Sequence, residues 1–274
     1  MVIQNISSGP NEAKLLLTLA EKRISVFTAK DAKEILQMTD AAAAHILMNL
    51  VRKRRLQRIE KGKYLLIPDE AGVDRYWAEE PWVVVPHLVD EYYVGFWTAM
   101  NYWDMTEQIP YTVYVATRKQ KKKSSLKFGN QKFQFITLSE KKFFGFIEAK
   151  TNKTKFNIST KEKTIVDGLT YPKYCGGIPE VAKAMWSVRK NINWQDVLKL
   201  AEKVDVNVVI RRLGYLLNIL EIENNVSKLI ANNLQRYPYH YLDPSTSKNK
   251  IESSKEYGLI INRTKHELLG WKDY

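Results

Sequence analysis

Within residues 28–67 the spacing of apolar residues changes from that of helices to that of strands, and this change constrains the fold more than any other feature. The pattern that follows Thr28 predicts a short helix with that threonine as its cap. Thr39 or the residue after it can cap a second helix. Alternating residues then predict two short strands that turn at Gly62, and Pro68 ends the second strand because proline has no N–H to give a sheet.

The second predicted helix has one apolar face and one face that changes from small to polar and then to basic. The apolar face holds Ala43, Ile46, Leu47, Leu50 and Val51. The opposite face holds Ala42, His45, Asn49, Arg52 and Lys53. A helix this short is marginal without packing, so the apolar face should be core. Small residues allow close approach to a DNA groove, and Asn, His and Arg can bond base edges or phosphates. Helix, turn, helix and basic hairpin together predict a winged helix-turn-helix.

The basic residues of this segment are concentrated where DNA binding would need them. Between Arg52 and Lys63 there are seven basic residues and one acid, Glu60. Such a cluster suits phosphate oxygens and implies salt-dependent binding. An alternative is that the fold serves protein contact only and that its charges form a solvated face. We predict contacts to double-stranded DNA from Thr28, Lys30, Thr39, Ala41, Ala42, His45, Asn49, Arg52, Lys53, Arg55, Arg58, Lys61 and Lys63.

The composition agrees with a polyanionic partner and argues against disulfide-bonded, metal-binding and membrane-spanning proteins. The chain has 274 residues, a formal net charge of +13 and a single cysteine, Cys175, which rules out an internal disulfide and a cysteine-based zinc site. The four histidines show no metal-ligand spacing, and we expect no cofactor or metal. The first residues lack a basic start and a long apolar run, and no segment approaches the ~20 apolar residues of a membrane span. We therefore expect a cytoplasmic protein with no membrane partner.

The rest of the chain predicts an α+β protein with two domains. We assign residues 1–68 to the winged helix-turn-helix, 69–90 to a connector, and 91–274 to a C-terminal domain. That domain should hold a buried helix near residues 90–105, and a mostly antiparallel sheet of four or five strands over about 111–158 with a hairpin turn at Gly129-Asn130. A helical subdomain over about 160–235 and an extended tail should follow. Gly214 lies inside the last long helix, where glycine costs about 1 kcal/mol relative to alanine, so it suggests close helix contact.

A second basic run lies in the predicted sheet region. It comprises Arg118, Lys119, Lys121, Lys122 and Lys123, and no acid occurs between Glu107 and Glu140. One interpretation is an exposed, charged hairpin loop that blocks pairing of sheet edges. The other is a second contact with nucleic acid.

Several segments together resemble the AbiEi family of antitoxins, from the type IV toxin-antitoxin and abortive-infection systems of bacteria and archaea. The segments, within about residues 10–265, are GKYLLIP, YYVGFWTAMNYWDM with Ile109-Pro110, ISTKEKTIVDGLTYPKYCGGIPEVAKAM, RRLGYLLNIL, and LDPS with YGLIIN. The resemblance implies an N-terminal winged helix that binds the operon promoter, at repeated or inverted sites, and represses transcription. It also implies a C-terminal domain needed for antitoxicity against a partner toxin that is nucleotidyltransferase-like.

Two carboxylates offer alternatives from the enzyme class. Glu148 and Lys150 form an E-x-K triplet at the end of an apolar strand, a pattern found in Mg²⁺-dependent nucleases that needs a further acid, with Asp90 or Asp104 as candidates. Asp167 is more simply explained as a structural acid that bonds nearby backbone N–H groups. We predict a DNA-binding antitoxin and autorepressor without catalysis. The alternatives are a stand-alone regulator of other genes and a nuclease that uses Glu148.

Overall fold

The structure, a computed structural model, describes residues 8–72, 77, 79–128, 131–151, 154–234 and 238–273. The predicted turn at Gly129-Asn130 and part of the predicted connector lie outside these residues. The chain divides into two units. The first unit comprises residues 1–88 with 127–131, and the second comprises residues 89–126 with 132–274.

The first unit contains three helices and a small antiparallel sheet before residue 68. In chain order its elements are α1 (Pro10–Glu21), β1 (Val26–Thr28), α2 (Ala29–Leu36), α3 (Asp40–Arg52), β2 (Leu56–Glu60) and β3 (Lys63–Leu66), and a single turn, α4 (Pro81–Val84), follows later. β3 is the central strand, with β1 and β2 on either side of it. The sequence pattern did not predict β1, which is three residues long and therefore too short to show a period.

Local capping explains where α2 and α3 begin. The Thr28 hydroxyl accepts a hydrogen bond from the Asp31 N–H at 3.2 Å, and the Asp31 carboxylate accepts one from the Thr28 N–H at 2.7 Å. Thr39 caps α3 by accepting from the Ala42 N–H at 3.3 Å. Gln37, with a φ of 54°, turns the chain between the two helices. These contacts confirm the predicted starts of both helices.

The core of the first unit comes from the apolar faces of its helices and the inner faces of its strands. Its buried members are Leu15, Leu16, Leu19, Phe27, Ala32, Leu36, Leu47, Leu50 and Leu56. Burial of the apolar side of α3 is what a helix of 13 residues requires for stability. The opposite side of α3 is thereby left facing solvent.

The larger sheet has six strands and a mixed topology. Its strands are β4 (Tyr92–Val94), β5 (Thr112–Thr117), β6 (Ser125–Phe128), β7 (Gln131–Thr137), β8 (Phe146–Lys150) and β9 (Lys155–Ser159), in the order β6-β7-β5-β4-β9-β8. β4 pairs with β9, and β5 with β7, in parallel, whereas β4–β5 and β8–β9 are antiparallel. This differs from the predicted, mostly antiparallel sheet, because the chain crosses over between β5 and β6 and again between β7 and β8 instead of returning only through simple hairpins.

The segment predicted as one buried helix near residues 90–105 is a strand followed by a short helix. Tyr92–Val94 is β4, and α5 begins only at Phe96 and ends at Tyr102. All three residues of β4 are buried, because the strand lies inside the sheet with β5 and β9 beside it. A strand buried on both faces has no alternating pattern, so its sequence resembles that of a buried helix.

The helical region lies within the predicted range of about 160–235. It comprises α6 (Lys161–Thr170), α7 (Ile178–Ser187), α8 (Trp194–Val204), α9 (Asn207–Leu220) and α10 (Asn224–Asn233). A Cβ at Gly214 would lie 2.7 Å from atoms of Ile230 and Tyr257, which confirms the predicted close contact. Among the described parts of the chain, no helix is both long and apolar enough to span a bilayer.

The tail is extended in part, as predicted, and packs against the helices of the second unit. Its elements are β10 (His240–Tyr241), β11 (Glu252–Ser254), β12 (Leu259–Ile261) and α11 (Lys265–Leu269). β12 is central, parallel to β10 and antiparallel to β11. Leu242, Tyr257, Leu259 and Ile261 from this tail are buried in the main core of the second unit.

Candidate nucleic-acid interface

The solvent face of α3 presents small residues first and polar residues after them. Ala41, Ala42 and His45 are exposed, and Asn49 is half-buried. The Asn49 amide nitrogen lies 3.3 Å from Nδ1 of His45, so the two side chains form a pair on the helix surface. Arg52 ends the helix and is exposed. These five residues therefore share one side of α3, opposite its buried residues.

Three of the predicted DNA-binding cations are held by partners within the first unit. Lys53 Nζ lies 2.6 Å from a carboxylate oxygen of Glu12, whose side chain is only 9% exposed. The Arg55 guanidinium donates to Asp69 at 2.6 Å. Lys63 Nζ pairs with Glu60 at 3.0 Å and donates to the backbone carbonyl of His87 at 2.5 Å. These cations hold parts of the unit together, a role that spacing in the sequence does not reveal.

Four other cations of this segment are exposed and have no salt bridge to any residue that the structure describes. They are Arg52, Arg54, Arg58 and Lys61. Arg54 was not among the predicted site residues, although it lies in the same basic run. Its φ of 54° places it in the left-handed turn that leads from α3 to β2. The Arg58 Nε donates a hydrogen bond to the Glu60 carbonyl at 3.4 Å.

The remaining predicted contacts of the first unit have local tasks of their own. The hydroxyls of Thr28 and Thr39 accept the capping bonds of α2 and α3. Lys30 is exposed and lies 3.8 Å from Glu34 one turn along α2. A cap and an exposed helix pair are both compatible with a further bond to a phosphate.

The second basic run is largely occupied by partners within the second unit. Arg118 pairs with Glu91 at 3.3 Å and with Glu140 at 2.7 Å, and Lys119 pairs with Glu91 at 3.1 Å. These cations lower the pKa of Glu91, with the hydrogen bond from Lys119 as the largest cause. Lys121 Nζ lies over the Phe135 ring, 4.9 Å from its centroid. Lys122 and Lys123 are exposed. Glu91 neutralises part of the run although it is distant in sequence.

A buried ionic network occupies the centre of the second unit. Lys163 and Asp167, one turn apart on α6, form an ion pair, with 0% and 2% of their side chains exposed. The Tyr93 hydroxyl donates to Asp167 at 2.9 Å and lies 3.0 Å from Lys163 Nζ. Burial raises the pKa of Asp167 and of Tyr93. The prediction that Asp167 bonds backbone N–H groups is therefore wrong, because a lysine and a tyrosine supply its hydrogen bonds.

Arg212 joins three segments that are far apart in sequence. Its guanidinium donates to the backbone carbonyls of Leu242 at 2.8 Å, Leu169 at 2.7 Å and Tyr241 at 3.2 Å. Burial lowers the pKa of Arg212 to about 10. The neighbouring Arg211 donates to the Tyr257 carbonyl at 3.0 Å. The RRLGYLL segment thus binds the ends of the VDGL, LDPS and YGLIIN segments.

Asp243 connects the tail to the start of α7. Its buried carboxylate accepts from the Ile178 N–H at 3.3 Å and from Arg263 Nε at 2.8 Å. It also accepts from the Ser245 N–H at 2.9 Å. Burial alone would raise the pKa of Asp243, but the hydrogen bonds from Ser245 and Arg263 outweigh it, and the pKa is lowered. The motif segments beyond residue 90 therefore meet in one hydrogen-bonded core, which sequence spacing did not indicate.

Glu148 and the single cysteine, Cys175, differ in exposure. Glu148 is exposed on β8, 2.8 Å from Lys155 Nζ. Cys175 is buried, and burial raises the pKa of its thiol well above the ordinary range. Within the described ranges, no group of three or more His, Cys, Asp or Glu side chains could hold a metal ion. The carboxylate of Glu148 thus has a lysine as its nearest charged partner.

The comparisons with known proteins concern the fold. No protein-family model and no curated protein matches the chain. Its structure is similar to the crystal structure of the RV2827C protein from Mycobacterium tuberculosis, with a TM-score of 0.70 and 14% sequence identity. The match covers 97% of this chain and 96% of that one. The two proteins therefore share a fold along nearly their whole length.

Proposed function

We propose that residues 1–68 form a winged helix-turn-helix that binds double-stranded DNA at the promoter of its own operon and represses transcription. α3 is then the helix that enters the major groove, and the turn between β2 and β3 is the tip of the wing. The second unit, with the AbiEi-like segments, counters a nucleotidyltransferase-like toxin. The resemblance of those segments supports this second part.

One observation carries the DNA-binding part: Arg52, Arg54 and Lys61 are exposed and lack acidic partners among the described residues. Most other cations of the segment are already paired, so these three keep their charge available for phosphate oxygens. Arg52 and Arg54 follow the polar face of α3, and Lys61 lies at the hairpin turn. Phosphate contacts from helix and wing would position His45 and Asn49 against base edges.

The test is DNA binding by an Arg52→Ala/Lys61→Ala double variant. Each lost phosphate contact lowers the slope of log affinity against log salt by about 0.9, so binding should weaken and lose part of its salt dependence. A gel-shift assay of the operon promoter at several salt concentrations measures both. A Lys14→Ala/Lys22→Ala variant removes the same charge from exposed positions of α1 and its end. Equal effects of the two variants, or none from either, would contradict the proposed interface.

The antitoxin part is tested by growth. The double variant, expressed from an unrelated promoter beside the adjacent toxin gene, should still protect cells, because toxin control is assigned to the second unit. Loss of protection would contradict that division of tasks. If no nucleotidyltransferase gene adjoins this one, the stand-alone regulator of other genes replaces the antitoxin while the DNA-binding proposal stands.

A further inference from the structure

β8 is the outer strand of the six-stranded sheet, next to β9. It carries the Glu148-Ala149-Lys150 triplet, to which the proposed function assigns no task. Ile147 is 45% exposed, and the Glu148 side chain is 59% exposed. An outer strand of this kind presents unpaired N–H and C=O groups and can pair with another strand.

The hydrogen bonds at the two ends of the β8–β9 pair show which backbone groups remain outside. The Thr160 N–H donates to the Gly145 carbonyl at 2.9 Å, and the Thr151 N–H donates to the Thr154 carbonyl at 2.8 Å. Bonded residues alternate along an antiparallel strand, so the odd-numbered residues of β8 direct their N–H and C=O toward β9. The even-numbered residues, Glu148 and Lys150 among them, direct theirs outward.

We propose that β8 pairs with β8 of a second copy of this chain, antiparallel, about a two-fold axis at Ala149. Because outward groups must bond to outward groups, the axis must lie at a residue of β8 and not between two residues. An axis at Phe146 or Ile147 places a phenylalanine, Phe144 or Phe146, opposite Glu148, and therefore no cation opposite its carboxylate. An axis at Glu148 or at Lys150 places like charges opposite each other, which is destabilising. An axis at Ala149 places Glu148 opposite Lys150 twice, in two bonded pairs of opposite charge.

The size and packing of the residues at this axis fit the same register. Ala149 would face Ala149 in a non-bonded pair, where Cα atoms approach to about 4.5 Å and two methyl groups fit without a clash. Ile147 would face Thr151 of the second copy. Glu148 keeps its contact with Lys155, since a carboxylate can accept from two cations. The charge pattern of β8 is therefore complementary to itself, which favours a second copy over a strand from another protein.

The expected dimer is weak. One added strand on each side buries less than the ~1,200 Å² of a stable interface. Each copy also carries a formal charge of +13, which opposes association at low salt. Association should therefore strengthen with salt and is best captured by a covalent crosslink.

An Ala149→Cys variant tests the axis. The two introduced thiols would lie at a spacing that a disulfide spans, and copper phenanthroline, as the oxidant, would remove their hydrogens as the S–S bond forms. The native Cys175 is buried and provides the uncrosslinked control in the unaltered protein. A crosslinked dimer on a non-reducing gel is expected. Its absence would overturn the proposal.

Mixed variants test the register. Ile147→Cys alone should not crosslink, whereas a mixture of Ile147→Cys with Thr151→Cys should, because only unlike positions face each other. Rapid crosslinking of Ile147→Cys with itself would overturn the register.

Charge reversal provides a test that does not depend on cysteine placement alone. In the Ala149→Cys background, Glu148→Lys or Lys150→Glu should lower the crosslinking yield about fivefold or more, because like charges then face each other. The combined Glu148→Lys/Lys150→Glu exchange should restore the yield. Both positions are exposed, and unfolding curves of each variant confirm that folding is intact. Equal yields for all variants would contradict the proposed pairing.

Discussion

The second unit buries three cations of the same residue types that the first unit exposes beside its polar helix face. In the second unit Lys163, Arg211 and Arg212 are at most 4% exposed, and each bonds a carboxylate or backbone carbonyls. In the first unit Arg52 and Lys61 face solvent. Buried cations must be paired because desolvation of a lone charge is costly, whereas exposed cations can remain unpaired at little cost.

This difference separates structural charge from charge that is available to a ligand. The formal net charge of +13 counts both kinds equally. Lys53 shows the distinction within one unit, because it follows Arg52 directly and yet binds the buried Glu12. A cation next to a proposed DNA contact is therefore not necessarily another contact.

The largest expected effect comes from the buried network of the second unit. Lys163→Met leaves Asp167 buried without its cation and should lower the free energy of unfolding by about 3–5 kcal/mol. Urea denaturation followed by circular dichroism measures this change.

A matched double variant separates the effect of the unpaired charge from the effect of the changed side-chain shape. Lys163→Met/Asp167→Asn removes both charges and nearly preserves shape, so it should be less destabilised than Lys163→Met alone. A double variant that loses more stability than the single one would mean that the buried pair is not the source of the effect.

A smaller effect on stability should distinguish two adjacent cations of the first unit, Lys53 and Arg52. Lys53→Ala leaves the carboxylate of Glu12 without its ion pair and should cost about 1–3 kcal/mol of stability. Arg52→Ala should change stability by less than about 0.5 kcal/mol but weaken DNA binding. Thermal unfolding and gel-shift assays of both variants measure the contrast. If Lys53→Ala weakened binding without loss of stability, Lys53 would belong to the interface.

The smallest expected effect is the pH dependence that Asp243 contributes. Its pKa is lowered in the folded protein, so its contribution to stability is fully present above the pKa of an unfolded aspartate, about 3.9. That contribution is lost as the pH falls through the lowered value. The free energy of unfolding, measured by denaturation at several pH values between 5 and 3, should therefore fall less steeply for Asp243→Asn than for the unaltered protein. Identical pH profiles would show that Asp243 does not contribute.

The predictions from sequence agree with the structure where neighbours along the chain decide the outcome. Thr28 and Thr39 cap helices through residues only three positions ahead. The bounds of α8 and α9 follow from helical spacing within one segment. The segment around β4 was predicted as helix because its burial depends on strands contributed by residues 112–117 and 155–159, which no local window contains.

Local sequence is sufficient to predict where α2 and α3 begin, the helical region near residues 160–235, the alternation of the basic hairpin and the apolar and polar faces of α3. Which charges are paired depends instead on the folded arrangement of the chain. Glu12 reaches Lys53 across 41 positions, and Tyr93 reaches Asp167 across 74. Capping and periodicity act over a few residues, whereas ion pairs depend on distances in space that are set only when the chain has folded.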